Sequence, residues 1–208
     1  MPQPIMPVRP HEAPRSLRNA NRFSTRTLVT CALLCAIGVL LSLVELPLLP
    51  GVTWLKYDAS AMPALVGGFA YGPAAGACIG VVGAIIHGLL FADFSGAVMN
   101  ILVVVAFVVP AAALYRRHPS FSVQVIGLII GAIVMVAAAI LGNLVITPAW
   151  LGVPLDAVIA MIVPILLPFN ALKAALNAVL SVLVFKAVRP AMTIDEQPNA
   201  RPDAEERP

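Results

Sequence analysis

Charge is scarce in this sequence. Only 11% of its 208 residues are Asp, Glu, Lys or Arg, and 60% are hydrophobic. A soluble domain carries about 25% charged and about 45–50% apolar residues. No water-soluble fold could hide this much apolar surface. Aromatics are also few, at 6%, and no stretch joins basic residues to stacking aromatics. The net charge of +3 is therefore no footprint of a nucleic-acid binder, and no nucleic acid is expected as a partner. Cysteine occurs three times, as Cys31, Cys35 and Cys78, always inside an apolar segment and never at a metal or redox spacing. The three read as small buried apolar residues, and no metal is expected. HExxH, GxSxG, Walker and DxD-like clusters are absent, and no pair of carboxylates shares an apolar segment. These absences argue against a membrane protease, a pump that hydrolyses ATP unaided and a carboxylate proton relay. No enzyme activity is expected.

What the sequence has in abundance is apolar segments of membrane-crossing length. A spanning helix needs about 20 mostly apolar residues, which gives about six spans between the polar ends. The expected class is an all-α integral membrane protein, multi-pass in the cell membrane, with the bilayer as its solvent. Segment 27–46 is the first span, with Ser24, Thr25 and Thr27 as cap residues. It should stop at Glu45 and the Pro47/Pro50 pair. Residues 47–58 form a loop, and 59–71 a second, short segment. Gly72-Pro73 marks a turn before the third span, 73–91. The fourth and fifth spans are read at 97–115 and 122–146, with a loop over 147–154. The stretch 155–188 holds a re-entrant or broken piece, interrupted at Pro164 and Pro168, and a sixth span. The domain reading is a polar arm over 1–26, a membrane domain over 27–188 and a polar, disordered tail over 189–208. Gly67, Gly68, Gly72, Gly76, Gly80 and Gly83 let neighbouring helices approach closely.

Topology follows from charge. Of the 13 Lys and Arg, Arg9, Arg15, Arg18, Arg22 and Arg26 lie in the first arm. Arg116 and Arg117 follow the fourth span, and Lys186, Arg189, Arg201 and Arg207 end the chain. Six spans with both termini cytoplasmic put all eleven on the inner side, as the positive-inside rule requires. Two cations remain, Lys56 in the first outer loop and Lys173 in the sixth helix.

Lys173 is the leading candidate for function. A Lys in an apolar helix costs about 2.5–3.5 kcal/mol on insertion scales unless it is paired, hydrated or snorkelling. Asn170, Lys173 and Asn177 fall at i, i+3 and i+7, on one helix face. They form either a pocket wall or, for Lys173, a snorkelling cation. Asn143, at the outer end of the fifth span, can donate and accept toward a neutral heteroaromatic ligand, or simply join two helices. Asn100 is balanced between the same readings. The stretch Trp54-Leu55-Lys56-Tyr57-Asp58 is either a lid over a pocket or an interfacial anchor with a Lys–Asp surface pair. His87 reads first as a polar packing residue.

Three stretches carry a resemblance. Leu55-Lys56-Tyr57-Asp58 runs through Met62-Pro63-Ala64-Leu65 to Gly72-Pro73-x-x-Gly76; Gly96-x-x-x-Asn100 opens the fourth helix; Pro168-Phe169-Asn170-x-x-Lys173 opens the sixth. Together they resemble the substrate-binding S components of energy-coupling factor (ECF) vitamin transporters, closest to the riboflavin-specific branch, over roughly residues 27–188. The resemblance implies riboflavin as transported ligand rather than cofactor. It implies a pocket near the outer face, in which Asn143, Asn170 and Lys173 bond the flavin and the loop Leu55–Asp58 closes over it. It also implies a transmembrane coupling subunit and two cytoplasmic ATPases as partners, with Ala32 and Ala36 of an Ala-x-x-x-Ala strip docking the coupling subunit. Met99 stands where the family often has an acidic residue. Other readings stay open: a different vitamin or precursor, or a membrane protein that only organises partner helices.

Overall fold

The computed structural model describes residues 24–52, 54–190 and 192. Nearly all of the arm and tail read from the sequence therefore lies outside the described residues. The first helix, α1 (Thr25–Ser42), opens where expected, with the Thr27 N–H donating to the Ser24 hydroxyl at 3.2 Å. It buries one stripe, Thr27, Leu34, Gly38 and Ser42, and turns Leu33, Ile37 and Leu40 outward. Such a face would be untenable in water, but lipid tails accept it.

A two-residue ladder follows. Strands β1 (Leu46–Pro47) and β2 (Lys56–Tyr57) pair antiparallel, with Leu46 opposite Tyr57 and Pro47 opposite Lys56. The chain then enters α2 (Ala61–Tyr71), α3 (Pro73–Phe91), α4 (Phe94–Arg117) and α5 (Phe121–Leu151). The last membrane segment is continuous over Leu155–Val188, built as α6 (Leu155–Met161), a π turn (Ile162–Leu166) and α7 (Leu167–Val188).

Five of these segments are long and apolar enough to cross a membrane: α1, α3, α4, α5 and Leu155–Val188. Helix α2 is the exception. Its 11 residues reach only about 16 Å at 1.5 Å per residue, against a hydrocarbon core of about 30 Å. It is largely shielded from lipid: α1, α3, α4 and α7 pack around it, and Pro63 through Ala70 are all buried. At one end Asp58 meets Lys173 and sits beside Asn100, near the start of α4; at the other Gly72 lies against the Arg116 guanidinium, at the end of α4. Helix α2 thus runs parallel to α4, with Gly68 against Val108 and Ala112 on the way. With α2 included, the bundle has six helical segments among the described residues, five of them of membrane-crossing length, in the all-α architecture expected.

Two glycines explain the tight α2–α3 joint. Gly72 adopts φ +98°, a conformation that a side chain would strain. A Cβ on Gly76 would stand 2.6 Å from the Ala64 carbonyl oxygen and 2.7 Å from the Gly68 Cα, so only hydrogen fits there. Phe69, Tyr115 and Phe185 cluster at the same end of the bundle, with ring centroids 5.2–5.7 Å apart.

Three expectations need correction. The first span ends at Ser42, not at Glu45, because residues 43–45 lead directly into the β1–β2 ladder. Residues 147–151 are not a loop: α5 runs through Pro148 to Leu151 and stops at Gly152, φ +65°. Pro148 lies in the last turn, where its missing N–H removes one bond near water, and Gly152 supplies the left-handed end. Pro164 does not break the last segment either. The π turn absorbs it, and Pro168 falls in the first turn of α7, where proline is tolerated.

Candidate functional site

The polar residues of α7 face inward. Asn170, Lys173 and Asn177 are buried, and Asn177 has no exposed surface at all. Lys173 does not snorkel. Its ammonium donates to the Asp58 carboxylate at 3.1 Å and to the Asn100 Oδ1 of α4 at 3.4 Å. Asn177 donates to the Asp58 carbonyl at 3.4 Å and to the Lys173 carbonyl at 3.1 Å. One cluster therefore joins the loop before α2 with α4 and α7.

Asp58 is the hub. Its carboxylate accepts from Lys173, from the Ser60 N–H at 2.9 Å and from the Ser60 hydroxyl, while its carbonyl accepts from Asn177. Burial pushes this carboxyl up, but the Lys173 cation and the Ser60 bonds outweigh it and hold Asp58 below the ordinary carboxylate range. Among the described residues, the buried Tyr57 hydroxyl and Asn177 Oδ1 have no protein partner. One can donate and the other can accept.

A cavity of about 30 Å³ lies beside the cluster, lined by Ser42, Ser60, His87, Asn100, Lys173, Phe107 and Met135. It has room for about one or two waters. A drug-sized ligand needs about 300 Å³ or more, so the cavity must widen before one can enter.

The loop residues split by direction. Tyr57 and Asp58 are buried and Leu55 is half-buried, whereas Lys56 faces outward. The Lys–Asp surface pair read from the sequence does not form. Lys56 pairs instead with Glu45 at 2.7 Å, and Asp58 with Lys173. Strand β2 ends at Tyr57, so Asp58 is free to turn inward to the Lys173 ammonium while Lys56 stays at the surface with the exposed Glu45.

The two remaining candidate asparagines do not reach Lys173. The Asn170 amide donates to its own helix, at Leu166 O, 2.8 Å. Asn143 donates to Ala139 O at 2.8 Å and accepts from the Thr147 hydroxyl at 3.1 Å, again within its helix. Ala32 and Ala36 are exposed on the outer face of α1, while Cys31 and Cys35, half-buried as free thiols, pack against the core.

Comparison with known proteins fits this arrangement. The profile of the family described as "ECF transporter, substrate-specific component" matches residues 26–185. The chain belongs to that family. It is 29% identical over 176 residues to the riboflavin transporter RibU of Staphylococcus aureus (strain TCH60), across 81% of this chain and 93% of that protein. It is 30% identical over 177 residues to the riboflavin transporter FmnP of Bacillus subtilis (strain 168), across 79% and 93% of the two chains. A solved structure described as "Structure and mechanism of the S component of a bacterial ECF transporter" superposes with a TM-score of 0.70 at 26% identity, covering 80% of this chain and 97% of that one. This S component is thus a multi-pass protein of the cell membrane, from a transporter family and not an enzyme family.

Sequence reasoning singled out Lys173 and Asp58 separately and missed that they are partners. Charge bookkeeping could have found the pair. Lys173 is a lone cation in an apolar helix, and Asp58 is an acid at the mouth of the most buried one. Ser60, Ser42 and Glu45 carried no signal of their own, because their roles depend on which helices meet.

Proposed function

We propose that this S component binds riboflavin from the outer side of the membrane for import. The observation that carries the reading is the buried polar cluster of Asp58, Asn100, Lys173 and Asn177 where the first loop meets α4 and α7, in a chain about 30% identical to two proteins named riboflavin transporters. A flavin ring is flat and largely apolar with one polar edge. Amides and a cation complement that edge, and apolar side chains cover the ring. The free Tyr57 hydroxyl and Asn177 Oδ1 add a donor and an acceptor. Leu55, Lys56, Tyr57 and Asp58 act as the lid. Asn143 and Asn170 would turn from their own helix carbonyls to the ligand when the site opens.

The positive-inside distribution supports a cytoplasmic N-terminal arm over 1–26 and a cytoplasmic tail over 189–208, flanking the membrane domain. Energy comes from partners, a transmembrane coupling subunit and two cytoplasmic ATPases. The exposed Ala32 and Ala36 give α1 a flat strip on which a partner helix can pack closely.

The test is direct. The purified protein is titrated with riboflavin, following the quenching of flavin fluorescence. Saturable binding, lost in a folded Lys173→Met variant, supports ligand and site together. A folded wild-type protein that quenches no flavin, yet is stabilised by another vitamin in a ligand screen, would overturn the flavin assignment.

A further inference from the structure

Above the cluster described so far lies a second polar chain. His87, near the outer end of α3, is buried, and its Nδ1 stands 2.9 Å from the Ser42 hydroxyl at the end of α1. Its Nε2 stands 3.8 Å from Glu45 Oε1, and the other Glu45 oxygen accepts from Lys56 on β2 at 2.7 Å. Phe91 packs on the imidazole, centroids 4.7 Å apart.

Proton bookkeeping fixes the direction of these contacts. A hydroxyl has one proton to donate, and that of Ser42 goes to the Val39 carbonyl at 2.7 Å. At His87 the Ser42 oxygen can then only accept, so Nδ1 carries a hydrogen. If the ring is neutral, Nε2 turns a lone pair toward the Glu45 carboxylate. An imidazolium would satisfy both neighbours, donating at Nδ1 and facing Glu45 with a cation at Nε2.

We propose that His87 is a positioning residue for the first loop: protonated, it ties Glu45, and through it Lys56 and the β1–β2 ladder, to α1 and α3. The loop is then held at two points by different helices. Lys56 is fastened through Glu45 to α1 and α3, and Asp58, two residues on, to α4 and α7. Breaking the Asp58 contacts alone leaves the lid tethered on its other side.

Among the described residues, few charged groups surround His87. Glu45 faces it from the segment after α1, and Lys56 of β2 reaches it only through Glu45. Lys173 of α7 lines the same cavity but is already paired with Asp58, and Asn100 of α4 is neutral. On its own helix the neighbour is Phe91. Glu45 is therefore the group that responds to protonation of His87. The extra contact is present at low pH and lost as pH rises.

The inference needs no particular ligand, and neither does its test. Full-length, ligand-free protein in lipid nanodiscs is studied by hydrogen–deuterium exchange of the 45–57 segment, with rates corrected for the intrinsic pH dependence of exchange. Between about pH 8 and about pH 5.5, a range over which imidazole changes charge, exchange in the loop should slow about two- to fivefold, the range of a partly exposed ion pair. His87→Gln and Glu45→Gln should each abolish that dependence, and the double variant should match the single ones. Exchange in α4 serves as the folding control. Should His87→Gln misfold, Glu45→Gln alone decides. A loop whose corrected exchange is flat with pH in the wild type, or whose pH dependence survives in either variant, would overturn the proposal whether or not the protein binds riboflavin.

Discussion

Replacing Lys173 with methionine tests the centre of the site. The substitution keeps the length of the side chain and removes the cation, leaving Asp58 buried with Ser60 and Asn177 but no counter-charge. The side chains of the pair are only 9% and 10% exposed, so solvent screens them weakly. Breaking a buried pair by removing one partner costs about 3–5 kcal/mol, because the other charge is left uncompensated. At about 2–4 °C per kcal/mol for a chain of this size, the melting temperature in detergent should fall by about 6–20 °C. Asp58→Asn should fall comparably. The double variant, Lys173→Met with Asp58→Asn, should regain most of the loss, since it buries no charge. The sign of the pH response is also set. In the wild type, Asp58 is held below the ordinary carboxylate range. Its contribution is present above the unfolded-state value of about 3.9 and is lost only as pH falls through the lower folded value. In Lys173→Met the lowering by the cation is gone while burial remains, so the folded value rises and the contribution of Asp58 is lost at a higher pH than in the wild type. Single variants as stable as the wild type, or a double variant that loses the sum of both, would show that the pair does not hold the site.

Three further outcomes follow from the same structure. Asn177→Leu deletes a fully buried amide that holds the Asp58 carbonyl; it should destabilise by about 1–3 kcal/mol in a thermal melt and weaken riboflavin binding in the fluorescence titration. Gly76→Ala forces a methyl into the 2.6 Å gap at the Ala64 carbonyl; an overpacking loss of about 1–3 kcal/mol is expected, whereas Gly83→Ala, with nothing within 4 Å of the new carbon, should leave the melting temperature unchanged. Ala32→Trp with Ala36→Trp changes only the exposed face of α1; riboflavin binding by the isolated protein should persist while uptake by cells carrying the whole transporter is lost.

Much of the architecture was legible from hydropathy and punctuation. Gly72-Pro73 split α2 from α3 at the right residue, and Ser24 caps α1 as its side chain suggested. The shortness of segment 59–71 was also plain, but its burial among four helices was not, because an apolar run looks the same facing lipid or protein. Prolines misled twice. Pro148 and Pro164 are helix breakers by intrinsic preference, yet both stand in helical backbone, one near a terminus and one in a π turn. At the site, the 3.6-residue period identified the inward stripe of Asn170, Lys173 and Asn177. It could not identify what those residues meet. The partner of Lys173 lies 115 residues away, and that of His87 lies 45 residues away. Such contacts are set by which helices pack together, and no local pattern encodes them.

The π turn has a consequence for how the last helix is aimed. Each residue of an α-helix advances the azimuth by about 100°, and a π turn takes up one residue beyond the α repeat. The segment Ile162–Leu166 therefore stores one spare residue between α6 and α7. Removing one residue there would leave the composition and hydropathy of the span almost untouched. The turn would close to the ordinary α repeat, and Lys173 beyond it would keep its azimuth and its partners. The last helix can thus lose a residue at this one irregular turn without rotating its polar stripe toward the lipid.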